Sequence, residues 1–394
     1  MKFSVLIPTL NRLDLLKLAV ETVRRQDYDN WEIIISDNCS DADVPHYVAS
    51  LKDDRIKCFR PPTRVPVTDN WNLALEKSSG DYVIMLGDDD CLMSGYLSRM
   101  ATVIREFSQP DLLFTAGYIF SYPGVHPSYP GGFLQSFRHA MFRESAPFLL
   151  DQPSARAIVE NSLRFRMSVA FNMQYSLVSR GMIQELQRHG PFFQSPYPDF
   201  YATNALFLCA QRVVVYPKPW VTIGISKQSY GYFHFNNREE AGTRFLGNTE
   251  FRGASSAALA QLIPGSRYLT SWLLALDRLC ANFSGTHPMQ PDYRRYRLLQ
   301  IAGALKHYYL DRRLKHDELQ AILRDLTLLE RLAISLPCRL AFGTLRLFPR
   351  RLQERVINVL ARKSVGQADE LGRGQVPGQF ETILDVFEKV AVAP

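Results

Sequence analysis

Nowhere in its 394 residues does this chain hold a run of about eighteen apolar residues, the length that crosses a bilayer. Its six cysteines (Cys39, Cys58, Cys91, Cys209, Cys280 and Cys338) show no paired spacing. That argues against a zinc cluster and a disulfide framework and points to a reducing compartment. The opening Met1-Lys2-Phe3-Ser4-Val5-Leu6-Ile7-Pro8 is too short an apolar stretch for a secretory signal, and Pro8 closes it. A cytoplasmic protein is expected, free or held at the inner face of a membrane. No glycine-rich turn follows that first apolar run, where Pro8-Thr9-Leu10-Asn11-Arg12 stands instead. No G-x-x-x-x-G-K-[ST] loop occurs either, so dinucleotide and P-loop sites are both disfavoured. Excess charge of one sign is also missing from most of the chain. Of the net charge of +7, residues 292–363 hold 16 Lys+Arg against 7 Asp+Glu, which leaves the remainder slightly acidic. A nucleic-acid binder would carry its basic surface on its main fold, so nucleic acid is not expected as a partner.

What the chain does have is alternation. Phe3 to Ile7, Trp31 to Ser36, Ile56 to Phe59, Tyr82 to Leu86 and Asp111 to Thr115 are short apolar runs bounded by turn residues, which is the pattern of buried strands. Between them lie amphipathic stretches, such as the one carrying Leu15, Leu16, Ala19, Val20 and Val23, with Thr9 or Asn11 available to cap it. This order predicts a mixed, mostly parallel sheet flanked by helices, in which ligands gather beyond the carboxyl ends of the strands. Thr9, Asp37 and Asp88-Asp89-Asp90 all fall there. Three adjacent carboxylates repel one another and resist burial unless a hard cation such as Mn2+ or Mg2+ accompanies them. Arg212 to Tyr216 and Val221 to Ile225 are expected to form a hairpin, and Ser226 to Phe235 a loop able to close over a ligand.

Four blocks in order then carry a likeness: Val5 to Arg12, Ile33 to Asp41, Asn70-Trp71-Asn72 and Gly80 to Asp90. Together they resemble the N-terminal domain of family 2 glycosyltransferases, inverting enzymes of the GT-A fold. The resemblance implies a nucleotide-sugar donor, with uridine-type nucleotides favoured, and a glycan or lipid-linked acceptor of surface polysaccharide synthesis. It places Pro8, Thr9, Asn11, Arg12, Asp37, Asn72, Asp88 and Asp89 around the donor nucleotide. Asp88 and Asp90 become the acids of a D-x-D motif, with Asp90 the foremost ligand of Mn2+ or Mg2+ and Asp89 able to take over either task. His234 is a further candidate metal ligand. Asp199, in Ser195-Pro196-Tyr197-Pro198-Asp199, is the candidate base that takes the acceptor's proton, although an acid there also suits a helix cap. A sugar nucleotidyltransferase is disfavoured by the missing glycine-rich basic loop, and a non-catalytic nucleotide-sugar-binding scaffold is the other alternative.

The expected layout is a GT-A domain over 1–240, with a nucleotide half (1–115) and an acceptor half (116–240). A basic helical region follows over 264–365, then an acidic, loosely held tail over 366–394. Tyr118, Tyr122, Tyr129, Phe133 and Phe137 offer rings for sugar stacking or for ordinary packing. Residues 332–363 combine apolar side chains with arginines, which suits either a segment lying on an anionic membrane surface or a helical accessory domain with an exposed basic face.

Overall fold

The computed structural model describes residues 1–126, 129–138, 141, 144–235, 251–365, 372–376 and 378–392. Four strands, β1 (Phe3–Thr9), β2 (Trp31–Asp37), β3 (Ile56–Phe59) and β4 (Tyr82–Met85), run parallel in the spatial order β4-β1-β2-β3. The side chains of β1, β2 and β4 are buried on both faces, which is why these strands read as apolar runs, while the edge strand β3 keeps Lys57 exposed. The connections α1 (Leu13–Arg24), α2 (Val44–Ser50) and α3 (Val67–Glu76) are the helices anticipated. Neither Thr9 nor Asn11 caps α1; Arg12 occupies the cap position without a side-chain bond to the helix, since a guanidinium has no acceptor to offer the helix N–H groups, and it engages acids across the sheet edge instead.

Beyond β4 the sheet becomes mixed. The short β5 (Cys91–Leu92) leads to α4 (Tyr96–Glu106) and β6 (Leu112–Ser121), which pairs antiparallel with β7 (Phe133–Arg138). Then come β8 (Phe148–Leu150), α5 (Gln152–Leu163), a 3-10 turn at Met173–Tyr175, β9 (Ser176–Ser179), α6 (Arg180–Gln187) and α7 (Pro198–Cys209). The expected hairpin is instead one long strand, β10 (Val213–Ile225), parallel to β6 with register shifts around Pro219. Prolines lack the N–H that a ladder needs, and here Pro217 and Pro219 produce a bulge, not a reversal. The short helix α8 (Tyr230–Phe235) follows.

The helix Arg267–Phe283 packs against α7 and buries Trp272, Leu276 and Leu279 in the same core as the sheet. Trp272 donates its indole N–H to Ser162 Oγ at 2.9 Å, fixing that helix to α5. A second, smaller core of Ile263, Ile301, Leu305, Leu319 and Leu326 holds the later helices together. The described residues of the C-terminal segment are docked and not loose. A strand at Gly372–Gln375 pairs with β7, and the helix Ile383–Lys389 packs on α1 with Ile383 and Val386 fully buried. Phe380, Ile383, Val386 and Phe387 anchor it, an apolar signal that the acids and glycines around them conceal.

Candidate active site

Chain order reverses between β1 and β4: the chain leaves β1 toward β2 and β3, then returns to β4 on the other side. Such a switch point opens a crevice at the carboxyl ends of the strands. Thr9, the last residue of β1, donates its hydroxyl to Asp88 Oδ2 at 2.6 Å across that opening. Arg12 completes the bridge, with Nη2 2.7 Å from Asp88 Oδ1 and Nη1 3.0 Å from Asp89 Oδ2. Asp88 is fully buried and Arg12 keeps about a fifth of its side chain (21%) exposed. Burial works against the Arg12 charge, but Asp88, Asp89 and Asp90 outweigh it and raise its pKa. Burial also pushes Asp88 above the usual carboxylate range, opposed by Arg12.

The three acids face different ways. Asp89 accepts hydrogen bonds from Ser226 Oγ at 2.9 Å and from Ser229 Oγ, besides its pairing with Arg12. The segment expected to act as a lid is therefore fastened to the triplet at its first turn. Asp90, by contrast, turns inward. Its carboxylate accepts the backbone N–H groups of Gly87 (2.7 Å) and Gly224 (2.8 Å) and the side-chain amide of Gln174 (2.8 Å). Burial and the neighbouring Asp89 push its pKa up, and those N–H donors oppose the shift. Asp90 thus pins the acidic loop to β10, while Asp88 and Asp89 are the acids paired with Arg12. The fit demands glycine at two places. A Cβ at Gly87 would lie 2.5 Å from Asp90 Oδ2, and one at Gly224 would lie 1.7 Å from the Asp89 carbonyl oxygen.

At the end of β2, Asp37 accepts the Ser40 N–H at 2.9 Å and pairs with the Arg60 guanidinium, whose Nε donates at 2.8 Å. Arg60 escapes sequence reasoning because it follows a strand with no motif around it. Pro8 lies half-buried beside this edge. Asn11 has a left-handed backbone (φ 56°), as does Cys39 (φ 60°), and each stands in the loop just after a strand, β1 and β2 respectively. Strained conformations of this kind cluster at working sites. The Asn11 side chain is spent on Asp41, donating to its carboxylate at 3.0 Å and accepting its N–H at 2.6 Å, so it shapes the loop and does not point at a ligand. Asn72 is likewise committed. Its amide donates to Phe193 O at 2.9 Å and accepts Phe193 N–H at 3.1 Å, clamping the loop that leads into α7 and leaving no polar atom for the nucleotide.

Asp199 stands in the first turn of α7, but the cap position belongs to Tyr197 and carries no side-chain bond. The carboxylate instead accepts the Met173 N–H at 3.0 Å, and burial pushes its pKa up to about 7. The next residue of that 3-10 turn, Gln174, is the one that holds Asp90. The candidate base and the acidic loop therefore share one support, which no sequence signal announces. The His234 side chain and the Phe137 side chain lie outside the described residues. Tyr122 and Phe120 pack ring to ring at 4.8 Å, and Tyr129 stacks on Phe133 at 3.9 Å, so most of the aromatic segment is packing. A cavity of about 1080 Å³ opens elsewhere, lined by Gln152, Arg156, Glu185, His189 and His287 among others, and includes none of the expected site residues.

Residues 4–166 match the model of glycosyl transferase family 2. This part of the chain is similar to that family. Among curated proteins, a GalNAc(5)-diNAcBac-PP-undecaprenol beta-1,3-glucosyltransferase of Campylobacter jejuni is 41% identical over 108 residues, 27% of this chain and 35% of that protein. A colanic acid biosynthesis glycosyl transferase assigned in Escherichia coli is 32% identical over 134 residues, 32% of this chain and 48% of its own length. The chain thus aligns with less than half of either relative. A solved structure, S. aureus TarS 1-349 in complex with UDP-GlcNAc, is similar at 15% identity and a TM-score of 0.47, covering 90% of this chain and 92% of that one. The matched segment contains Thr9, Arg12, Asp37 and the acidic triplet. It ends before Gln174 and Asp199, so their place in the site rests on geometry alone.

Proposed function

We propose that this protein transfers a sugar, with inversion, from a nucleotide-diphosphate donor to a glycan or lipid-linked acceptor in surface polysaccharide synthesis. Uridine-type donors are favoured. The observation that carries this reading is the Thr9–Asp88–Arg12 bridge across the switch point, supported on the same turn as Asp199. The donor's nucleotide lies along the ends of β1 and β2, near Asp37 and Arg60, and its diphosphate meets Arg12. Asp199 takes the proton from the acceptor hydroxyl. A carboxylate whose pKa sits near 7 is well matched to that task at neutral pH, and a positioned base contributes about 10²–10⁴-fold.

A divalent ion suits the donor set. Asp88 and Asp89 are two buried hard-oxygen ligands sharing one guanidinium. Among the described residues no three His, Cys, Asp or Glu side chains form a metal cage by themselves. Asp88 and Asp89 would hold Mn2+ or Mg2+, as hard oxygen ligands that suit such an ion. When bound, the ion supplies Lewis-acid stabilisation of the departing diphosphate. Arg12 neutralises the same region from the protein side.

The test is to incubate the protein with Mn2+, a panel of nucleotide-sugars and an acceptor lipid extract, measuring nucleoside diphosphate release. One donor is expected to be consumed. Failure of every donor to bind or react would reject the reading, while donor binding without turnover would favour a nucleotide-sugar-binding scaffold.

A further inference from the structure

The helices after Thr327 carry two apolar stripes where packing uses one. Ile334, Cys338 and Phe342 recur at four-residue spacing and pack onto the smaller core. Leu332, Leu336 and Leu340 repeat the same spacing two positions away, about 200° around a helix, and so face outward. All three are exposed, Leu340 at 64%. Leu328 and Leu329 (73% each) and Leu347 (83%) extend this outer row at both ends. A helix apolar on both sides is stable in water only if something covers the second side.

Charge says what covers it. Residues 331–363 contain eight Lys and Arg and a single acid, Glu354, which Arg350 engages at 3.2 Å. Arg339, Arg346 and Arg351 are exposed on the same helices as the leucines. A second copy of this chain would bring an equally basic face and be repelled. A span is not available, since no helix among the described residues is long and apolar enough to cross a membrane.

We propose that the face running from Leu328 to Val359 docks on the surface of an anionic lipid bilayer. Its helices lie in the plane of the membrane, the leucines enter the acyl boundary, and the arginines reach headgroup phosphates. This deepens the reading of a lipid-carried acceptor, yet it is a binding property and can stand or fail without transfer activity.

The test is co-sedimentation of the full chain with vesicles of phosphatidylglycerol and phosphatidylethanolamine, against vesicles of phosphatidylcholine alone. Wild type is expected to bind the anionic vesicles, less so as salt is raised, and the neutral ones at least about tenfold more weakly. The double variant Leu336→Glu/Leu340→Glu should lose binding by about tenfold or more, with its thermal unfolding unchanged because both side chains are already exposed. Arg346→Gln/Arg351→Gln should lose preferentially the anionic component. Equal binding by wild type and the leucine variant would overturn the proposal. So would a leucine-dependent dimer in light scattering without vesicle binding. Nucleotide release with a water-soluble acceptor, measured in parallel, reports the transfer reading separately.

Discussion

Asp90 and Asp199 are held by adjacent residues of one 3-10 turn: Gln174 donates its amide to Asp90 at 2.8 Å, and the Met173 N–H bonds Asp199 at 3.0 Å. The acidic loop and the Asp199 carboxylate, which the proposed reaction assigns to donor and acceptor, are therefore positioned relative to each other by a single local structure. Removing the Gln174 side chain should cost stability and alignment together. Gln174→Ala is expected to lower stability by about 1–3 kcal/mol, because a buried carboxylate loses a donor. It should also reduce kcat more than it changes donor affinity. Urea unfolding and steady-state kinetics measure the two effects, and an unchanged kcat would show that the turn is not a shared support.

Asp199 makes a sharper prediction. Asp199→Asn should lower kcat by about 10²–10⁴-fold while donor Kd stays within about twofold. The rate of the wild type should rise with pH and level off above about 7, because the base works only when ionised and burial has pushed its pKa up to about 7. Stability runs the other way. The folded state holds the Asp199 proton more tightly than the unfolded chain, whose value is near 3.8. The resulting stabilisation is fully present below about pH 4 and is lost as pH rises through about 7. Asp199→Asn should flatten that part of the stability profile, and a slope unchanged in the variant would assign the titration to another group.

Gly224 and Gly303 give a contrast that separates close approach from helix propensity. Gly224→Ala sets a methyl against the Asp89 carbonyl 1.7 Å away. It should destabilise by at least about 1–3 kcal/mol and impair donor binding as β10 is pushed off the acidic loop. Gly303 lies inside the helix Tyr293–Tyr309 with nothing within 4 Å of an added Cβ, so Gly303→Ala should stabilise by about 0.5–1 kcal/mol. Thermal melts of both variants decide it.

The parts of the fold that are legible in the sequence are those governed by local pattern. β1, β2 and β4 are buried on both faces and read as mostly apolar runs, and their order puts Thr9, Asp37 and the triplet at one edge. β10 is not legible, because Pro217 and Pro219 look like a turn to any local rule, and pairing with β6, with β8 before the prolines and β5 after them, keeps the strand going. The orientation of the triplet is hidden for the same reason. Three consecutive acids offer no register, and what turns Asp90 inward is the N–H of Gly224, 134 residues further along the chain. Asn72 looks like a ligand-facing amide, yet a loop 121 residues away claims both of its polar atoms.

Arg12 yields the last prediction, because one guanidinium serves as the counter-charge for both Asp88 and Asp89. Removing it leaves two buried carboxylates side by side with no cation between them. Breaking a buried pair costs about 3–5 kcal/mol. Because Arg12 retains 21% exposure, Arg12→Gln should fall at the low end, near about 3 kcal/mol. A divalent ion can replace the missing charge, since both acids are hard oxygen ligands. Mn2+ should therefore raise the melting temperature of Arg12→Gln more than that of wild type, in which the guanidinium already neutralises the acids, and EDTA should reverse the gain. Bound ligand stabilises by mass action, so the dependence on Mn2+ concentration yields an apparent Kd for each protein. Arg12→Gln should bind the ion more tightly without donor, yet turn over donor more slowly, because the diphosphate has lost its protein-borne cation. Equal Mn2+ responses in the two proteins would mean that Arg12 and the ion do not compete for Asp88 and Asp89.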